Sequence, residues 1–292
     1  MKQTKKKPAK AGIVTYFATW VFSFLLMLIA VVGVVICTVC NSKYLQNQIL
    51  ASKFCAITLE ELNENYTSYG NAGNIPAEVM TSIITQDQIQ QDMFKAAELL
   101  YEGDRTAIQH PEVSEKAKEV IMANLEERGV TVTDEIQKGV EDVATGCQED
   151  YDRYVQIFVA AYIAPYITKI TTMSWLAMGV LFFTTLVAFF IVINLQRATP
   201  ARLRWCMNAF SAAGLFCIVL PIVFYCSVNM GQLGIEPKTL RVLLASYTNG
   251  VINSFFYFAL IYFIVVGALA IAWHRGLKRY RQAYREQKEH RM

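Results

Sequence analysis

Four stretches of this chain contain no Asp, Glu, Lys, Arg or His: residues 13–40, 174–196, 205–228 and 251–273. Each meets or exceeds the roughly 20 apolar residues a helix needs to cross the hydrocarbon core of a bilayer. Inside that core every backbone N–H and C=O must be satisfied within the spanning segment. Runs rich in Phe, Val, Ile and Leu without polar alternation therefore predict four transmembrane helices. The rest of the chain falls into the intervals they leave: a basic tail at 1–12, a polar segment at 41–173, a basic loop at 197–204, a loop at 229–250 and a basic tail at 274–292. The expected fold is all-α, an integral membrane protein with a helical extracytoplasmic domain between the first and second spans.

The charges are segregated in the same way. Between Lys43 and Thr172 lie 10 Lys/Arg and 21 Asp/Glu, a net of −11, whereas the remaining residues hold 17 basic and 3 acidic groups, a net of +14. Basic flanks stay on the cytoplasmic side, so both termini and 197–204 are expected there, with 41–173 and 229–250 outside. The first run also follows a basic tail, as a signal peptide would. It is much longer than the ~7–15 residues of a signal core and lacks a small-x-small cleavage site, which predicts an uncleaved anchor. Lys5, Lys6 and Lys7, and Lys278, Arg279, Arg281 and Arg285 interleaved with Trp273, Tyr280 and Tyr284, predict contact with anionic inner-leaflet headgroups rather than nucleic acid. Such contacts contribute about 1 kcal/mol per basic residue.

The polar segment reads as helical throughout. Residues 42–64 have helical apolar spacing and are expected to continue the first span, and Tyr66–Pro76 (YTSYGNAGNIP) is expected to break the chain. Thr85 with Gln88 predicts an N-cap, Gly103 a helix end, Pro111 a first turn, Gly129 another end, and Thr133 the cap of a long last helix. Pro165 is expected to kink or interrupt that helix, and Pro221 to kink the third span. Pro237–Tyr247 predicts a short helix lying on the outer bilayer surface.

Of seven cysteines, only Cys55 and Cys147 lie well inside the polar segment. They either bridge its two membrane-connected helices or are two buried thiols. Cys37-Thr-Val-Cys40 is a lone pair in an apolar helix and carries no zinc spacing. His110, His274 and His290 have no partner at ligand spacing, so no metal is expected. The acidic group Glu141, Asp142, Glu149, Asp150 and Asp152 reads as a solvated helix face, with a cation as the less economical reading. Asn65-Tyr66-Thr67 is a glycosylation sequon. Nucleotide-binding, metalloprotease and nucleophile-elbow motifs are missing, so neither cofactor nor enzymatic activity is expected. Asn208, Ser211, Asn253, Ser254, Thr184 and Thr185 are among the polar residues within the spans. They read as interhelical hydrogen-bonding groups, and the small pairs Ala209/Ala213 and Ala268/Ala272 as close-packing positions.

The cadence Ile75-Pro-Ala-Glu-Val-Met, Thr85-Gln-Asp-Gln-Ile, Leu99-Leu-Tyr-Glu-Gly103 and Glu127-Arg-Gly-Val-Thr-Val-Thr-Asp-Glu-Ile136 resembles uncharacterised multi-pass membrane proteins of Gram-positive bacteria. Those carry an extracytoplasmic helical domain after the first span. The resemblance implies a bacterial plasma membrane and no particular activity. The expected function is a non-enzymatic accessory or scaffold subunit of an envelope complex, whose outer domain binds or senses a protein partner. The alternative is a channel or transporter subunit, and homo-oligomerisation is compatible with either.

Overall fold

The computed structural model describes residues 9–104, 108–155, 160–196, 198–227 and 238–289, with side chains described from 13 to 278 outside 160–163. The described residues form ten helices and no strand. They are α1 (Ala9–Cys37), α2 (Ser42–Ala51), α3 (Phe54–Ala72), α4 (Ala77–Thr81), α5 (Gln86–Glu102), α6 (Pro111–Glu127), α7 (Asp134–Val155), α8 (Ala160–Asn194), α9 (Thr199–Ser227) and α10 (Lys238–Glu289). Four of them hold segments long and apolar enough to cross a membrane: Ile13–Cys37, Ala164–Asn194, Thr199–Ser227 and Lys238–Lys278. The chain divides into an apolar unit, Met1–Cys37, Thr172–Asn229 and Asn249–Met292, and a polar helical unit, Thr38–Thr171 and Met230–Thr248.

In the apolar unit, α1 buries Phe22, Leu26, Ala30 and Val34, one residue per turn. The same core takes Cys206, Ala209, Ala213 and Cys217 from α9. These small side chains let helix backbones approach closely, the usual solution where lipid supplies no hydrophobic drive between helices. Ala268 and Ala272 are exposed, so only the Ala209/Ala213 pair packs as expected. A Cβ on Gly33 would lie 2.5 Å from Phe258 Cζ, so the ring fills the space that glycine leaves. Tyr262 donates to the Leu26 carbonyl at 2.7 Å, and Gln196 Nε2 to Thr15 Oγ1 at 3.1 Å. The polar residues of the spans divide: Tyr225 of α9 donates to Asn253 Oδ1 of α10, an interhelical bond, while Thr184 and Ser254 bond back to carbonyls of their own helices. Pro221 is buried within an unbroken α9. Many large apolar side chains of this unit face outward, among them Phe182, Phe183, Phe190, Leu260 and Ile264. An apolar exterior of this extent is what a membrane-facing surface requires.

The polar unit departs from the expected boundaries in four places. The first span does not continue into residues 42–64. Instead α1 ends at Cys37, Asn41 caps α2 by accepting from Lys43 N, and Lys53 turns left-handed (φ 56°) between α2 and α3. The break is stabilised from a distance, since Tyr101 donates to the freed Val39 carbonyl at 3.0 Å. Second, the breaker at Tyr66–Pro76 acts only at its end, because α3 continues to Ala72. Tyr66 is fully buried and donates to the Cys147 carbonyl at 2.7 Å, and Gly70 lies against Met80 of α4. These contacts hold the stretch helical. Asn74 then stops it with φ 54°, while Ile75 N bonds back to Gly70 O and Asn74 N to Asn71 O, the paired bonds of a left-handed C-terminal cap.

Third, of the two outcomes expected at Pro165, a kink or an interruption, the interruption does not occur, because Pro165 lies inside α8. The fourth departure concerns Pro237–Tyr247, whose first residue lies outside the described set. The segment is no separate surface helix; it is the start of α10. Leu243 is buried in the core of the polar unit, Ser246 donates to Gln48 Oε1 at 2.9 Å, and Tyr247 packs edge-on against Tyr44. Aromatic and leucine side chains that looked suited to a bilayer surface find protein instead.

The other helix ends follow their sequence signals. Thr85 accepts from Gln88 N at 3.3 Å, Thr133 from Ile136 N at 3.4 Å, and Pro111 opens α6. Gly103 (φ 82°) and Gly129 (φ 67°) adopt left-handed conformations that cost a residue with a Cβ about 1–2 kcal/mol. The core of the unit collects Leu62 and Tyr66 from α3, Ile89 and Met93 from α5, Ala117 and Ile121 from α6, and Ala144, Cys147 and Tyr151 from α7. Each is spaced three or four residues from its neighbour on the same helix, a stripe facing one core.

Candidate functional site: a buried histidine between two carboxylates

His110 is the most deeply buried ionisable side chain at a helix start, only 2% exposed. Its position follows from Pro111. A residue before proline is pushed out of the helical region, and His110 takes φ −115° and ψ 70° as the N-cap of α6. Its ring does not cap the helix but turns into the unit. One oxygen of Asp152, on α7, accepts from the backbone N of His110 at 3.1 Å and meets ring Nδ1 at 2.7 Å. A carboxylate only accepts, so Nδ1 carries a proton directed at Asp152, and Nε2 is the ring's second nitrogen.

That second nitrogen is buried and without a hydrogen-bond partner. It faces Asp92 of α5, with Oδ2 at 3.8 Å, beyond hydrogen-bonding reach. Tyr151 donates to the same Asp92 oxygen at 2.6 Å and packs its ring edge-on against the imidazole, centroids 5.1 Å apart. Burial, and next the bond to Asp92, hold the Tyr151 hydroxyl well above the usual phenol range, so it stays a neutral donor. Glu112, one residue beyond Pro111 and exposed, brings a third carboxylate: ligand atoms of Asp92, His110 and Glu112 all lie within 4.8 Å of one another.

The expectation that His110 is isolated is therefore overturned. Its partners come from residues 18 and 42 positions away, on two other helices, with Glu112 beside it. The acidic group of α7 also divides. Glu141, Asp142 and Glu149 face solvent, Glu141 pairing with Lys118 at 3.0 Å. Asp150 accepts from Tyr69 at 2.9 Å and from Asn65 at 3.2 Å, and Asp152 clamps His110. The sequon asparagine is thus in mid-helix with its amide engaged.

A second feature is a cleft of about 500 Å³ between the end of α3, the end of α6 and the start of α7. Ile75, Ile121, Leu125, Ile136, Val140 and Val143 form its apolar walls, with Gly139 open beneath and Arg128 on its border. Arg128 donates to the Asn74 carbonyl at 2.7 Å, tying the α6 terminus to the turn after α3.

Cys55 and Cys147 are both buried in the core of the polar unit and both are free thiols. Burial raises both, Cys147 to about 12, so neither is a nucleophile near neutrality. Among the headgroup candidates, Lys278 is exposed on α10. Lys5, Lys6 and Lys7 lie outside the described residues, as do the side chains of Arg279, Arg281 and Arg285. Compared with protein-family models, with curated proteins and with solved structures, the chain matches none of them.

Proposed function

We propose that this chain is a multi-pass plasma-membrane protein of a bacterial envelope. In this reading it is non-enzymatic, both termini are cytoplasmic, and residues 41–173 form an outer helical domain that docks a partner protein. Four membrane-compatible helices and a −11/+14 division of charge support the topology. The cleft between α3, α6 and α7 carries the functional reading. It is apolar, roughly the size that takes a few side chains, and set in an acidic unit. The matching occupant is a protein segment that presents apolar side chains flanked by basic residues.

Gly139 supplies the test, because nothing lies within 4 Å of where its Cβ would be. A photo-crosslinking residue placed there in the full-length chain, at native expression, should trap a protein that the same residue at exposed Glu115 does not. No adduct at 139, or identical adducts at both positions, would remove the docking reading. The topology has its own assay. Ser68→Cys should react with an impermeant thiol reagent on intact cells, and Ala198→Cys should react only after lysis.

A further inference from the structure

We propose that His110 Nε2, Asp92 and Glu112 form a binding site for a divalent transition-metal ion of the zinc class. The site is separate from the cleft and does not depend on the docking reading.

Three observations carry it. The first is the orphaned donor. A ring nitrogen in a residue 98% removed from solvent, facing a carboxylate and hydrogen-bonded to nothing, is costly unless a bound group fills the gap.

The second is the spacing. If a second proton sat on Nε2, it would have to reach Asp92 across 3.8 Å, longer than the ~2.7–3.2 Å of a real N–H···O bond. Two ligands of a tetrahedral ion at about 2.1 Å stand roughly 3.4 Å apart, so the His110–Asp92 pair needs only a few tenths of an ångström of closure, and exposed Glu112, within 4.8 Å, has the freedom to complete the set.

The third is the arrangement behind the ring. Asp152 accepts a hydrogen bond from Nδ1 at 2.7 Å, which orients the ring and turns Nε2 toward Asp92. A carboxylate holding the far side of a ligating histidine is the usual support of a zinc-bound imidazole. The charge balance agrees. An imidazole whose side chain is 3% exposed lies between carboxylates only 20% and 15% exposed, with the Glu112 carboxylate beside them. The described ion pairs of Asp92 and Asp152 are with His110 alone. One nitrogen and two oxygens suit zinc and its neighbours; an all-oxygen set would suit calcium or magnesium. Exposed Glu112 places the opening toward solvent, so three protein ligands leave a fourth position accessible. Bound there, the ion would tie α5 to the start of α6, with α7 held through Asp152.

Calorimetric titration of the purified full-length chain with Zn2+ tests this, in a Cys37→Ser, Cys40→Ser, Cys226→Ser background that removes the thiols that are not buried. One ion should bind per chain, and affinity should fall about 10- to 100-fold in Asp152→Asn and at least as far in Glu112→Gln. Glu112 is exposed, so its replacement leaves the core intact. Co2+ in place of Zn2+ adds a direct readout, since its visible absorption should change between wild type and Glu112→Gln. A folded chain that binds no Zn2+ overturns the assignment. So does binding unchanged in both variants, or a chain that takes Ca2+ or Mg2+ but not Zn2+.

Discussion

Replacing Gly70 by alanine sets helix propensity against packing, and the structure says which prevails. Gly70 lies inside α3, where alanine should gain about 1 kcal/mol through backbone entropy. The added Cβ, however, would lie 2.6 Å from Met80 Cγ and 3.2 Å from the Ile75 carbonyl oxygen. The first contact is closer than real Cβ atoms approach, and Met80 is fully buried, so it has no free direction in which to swing. The second is with backbone that also bonds the turn after α3. Overpacking of this kind costs about 1–3 kcal/mol. A 2.6 Å contact with a side chain that cannot swing places this change in the upper half of that range, about 2–3 kcal/mol, so net destabilisation of about 1–2 kcal/mol follows, near 4 °C per kcal/mol for a unit of this size. Gly139 is the matched control: it is also helical, with open space around the Cβ position, so Gly139→Ala should stabilise by about 0.5–1 kcal/mol. Denaturant-dependent labelling of buried Cys147, read peptide by peptide in the full-length protein, reports on the polar unit alone. If the two alanines stabilise equally, the close approach of α3 and α4 is refuted.

Tyr151→Phe should destabilise the polar unit by about 1.5 kcal/mol, since it strips a donor from the Asp92 carboxylate while keeping the ring against His110; an unchanged labelling midpoint would show that the bond contributes nothing. Lys53→Gly should raise that midpoint by up to about 1 kcal/mol by relieving a left-handed lysine at φ 56°, and a loss would mean that the lysine side chain makes a compensating contact. The polar unit should also weaken in alkali. Cys147, raised by burial from 9.0 to about 12, and Tyr69, raised mainly by its bond to Asp150 from 10.0 to about 12, both favour their neutral forms when folded. Their stabilisation is complete below pH 9 and is lost progressively as pH rises to about 12, so a midpoint flat from pH 8 to 12 would contradict it.

Local chemistry made part of this protein legible in one dimension. Uncharged apolar runs predict membrane-compatible helices because no neighbour is needed to decide that a backbone without water must close its own hydrogen bonds. Caps at Thr85 and Thr133, the start at Pro111 and the stops at Gly103 and Gly129 act within four residues of themselves, and they stand where the sequence indicates.

Tertiary contact decided the rest. Tyr66–Gly70 reads as a breaker and folds as helix, because Tyr66 finds the Cys147 carbonyl and Gly70 admits Met80. Residues 238–247 read as a bilayer-surface helix and instead bury Leu243 in the core of the polar unit. His110 shows the limit most clearly. The only sequence hints were single carboxylates at the edges of two apolar stripes, Asp92 beside Met93 and Asp152 beside Tyr151. A lone histidine and two ordinary surface-type aspartates become one buried cluster only when α5, α6 and α7 pack on a common core. Glu112 lies two positions from His110 along the chain, but the approach of Asp92 and Asp152 is set by that packing, and no interval encodes it.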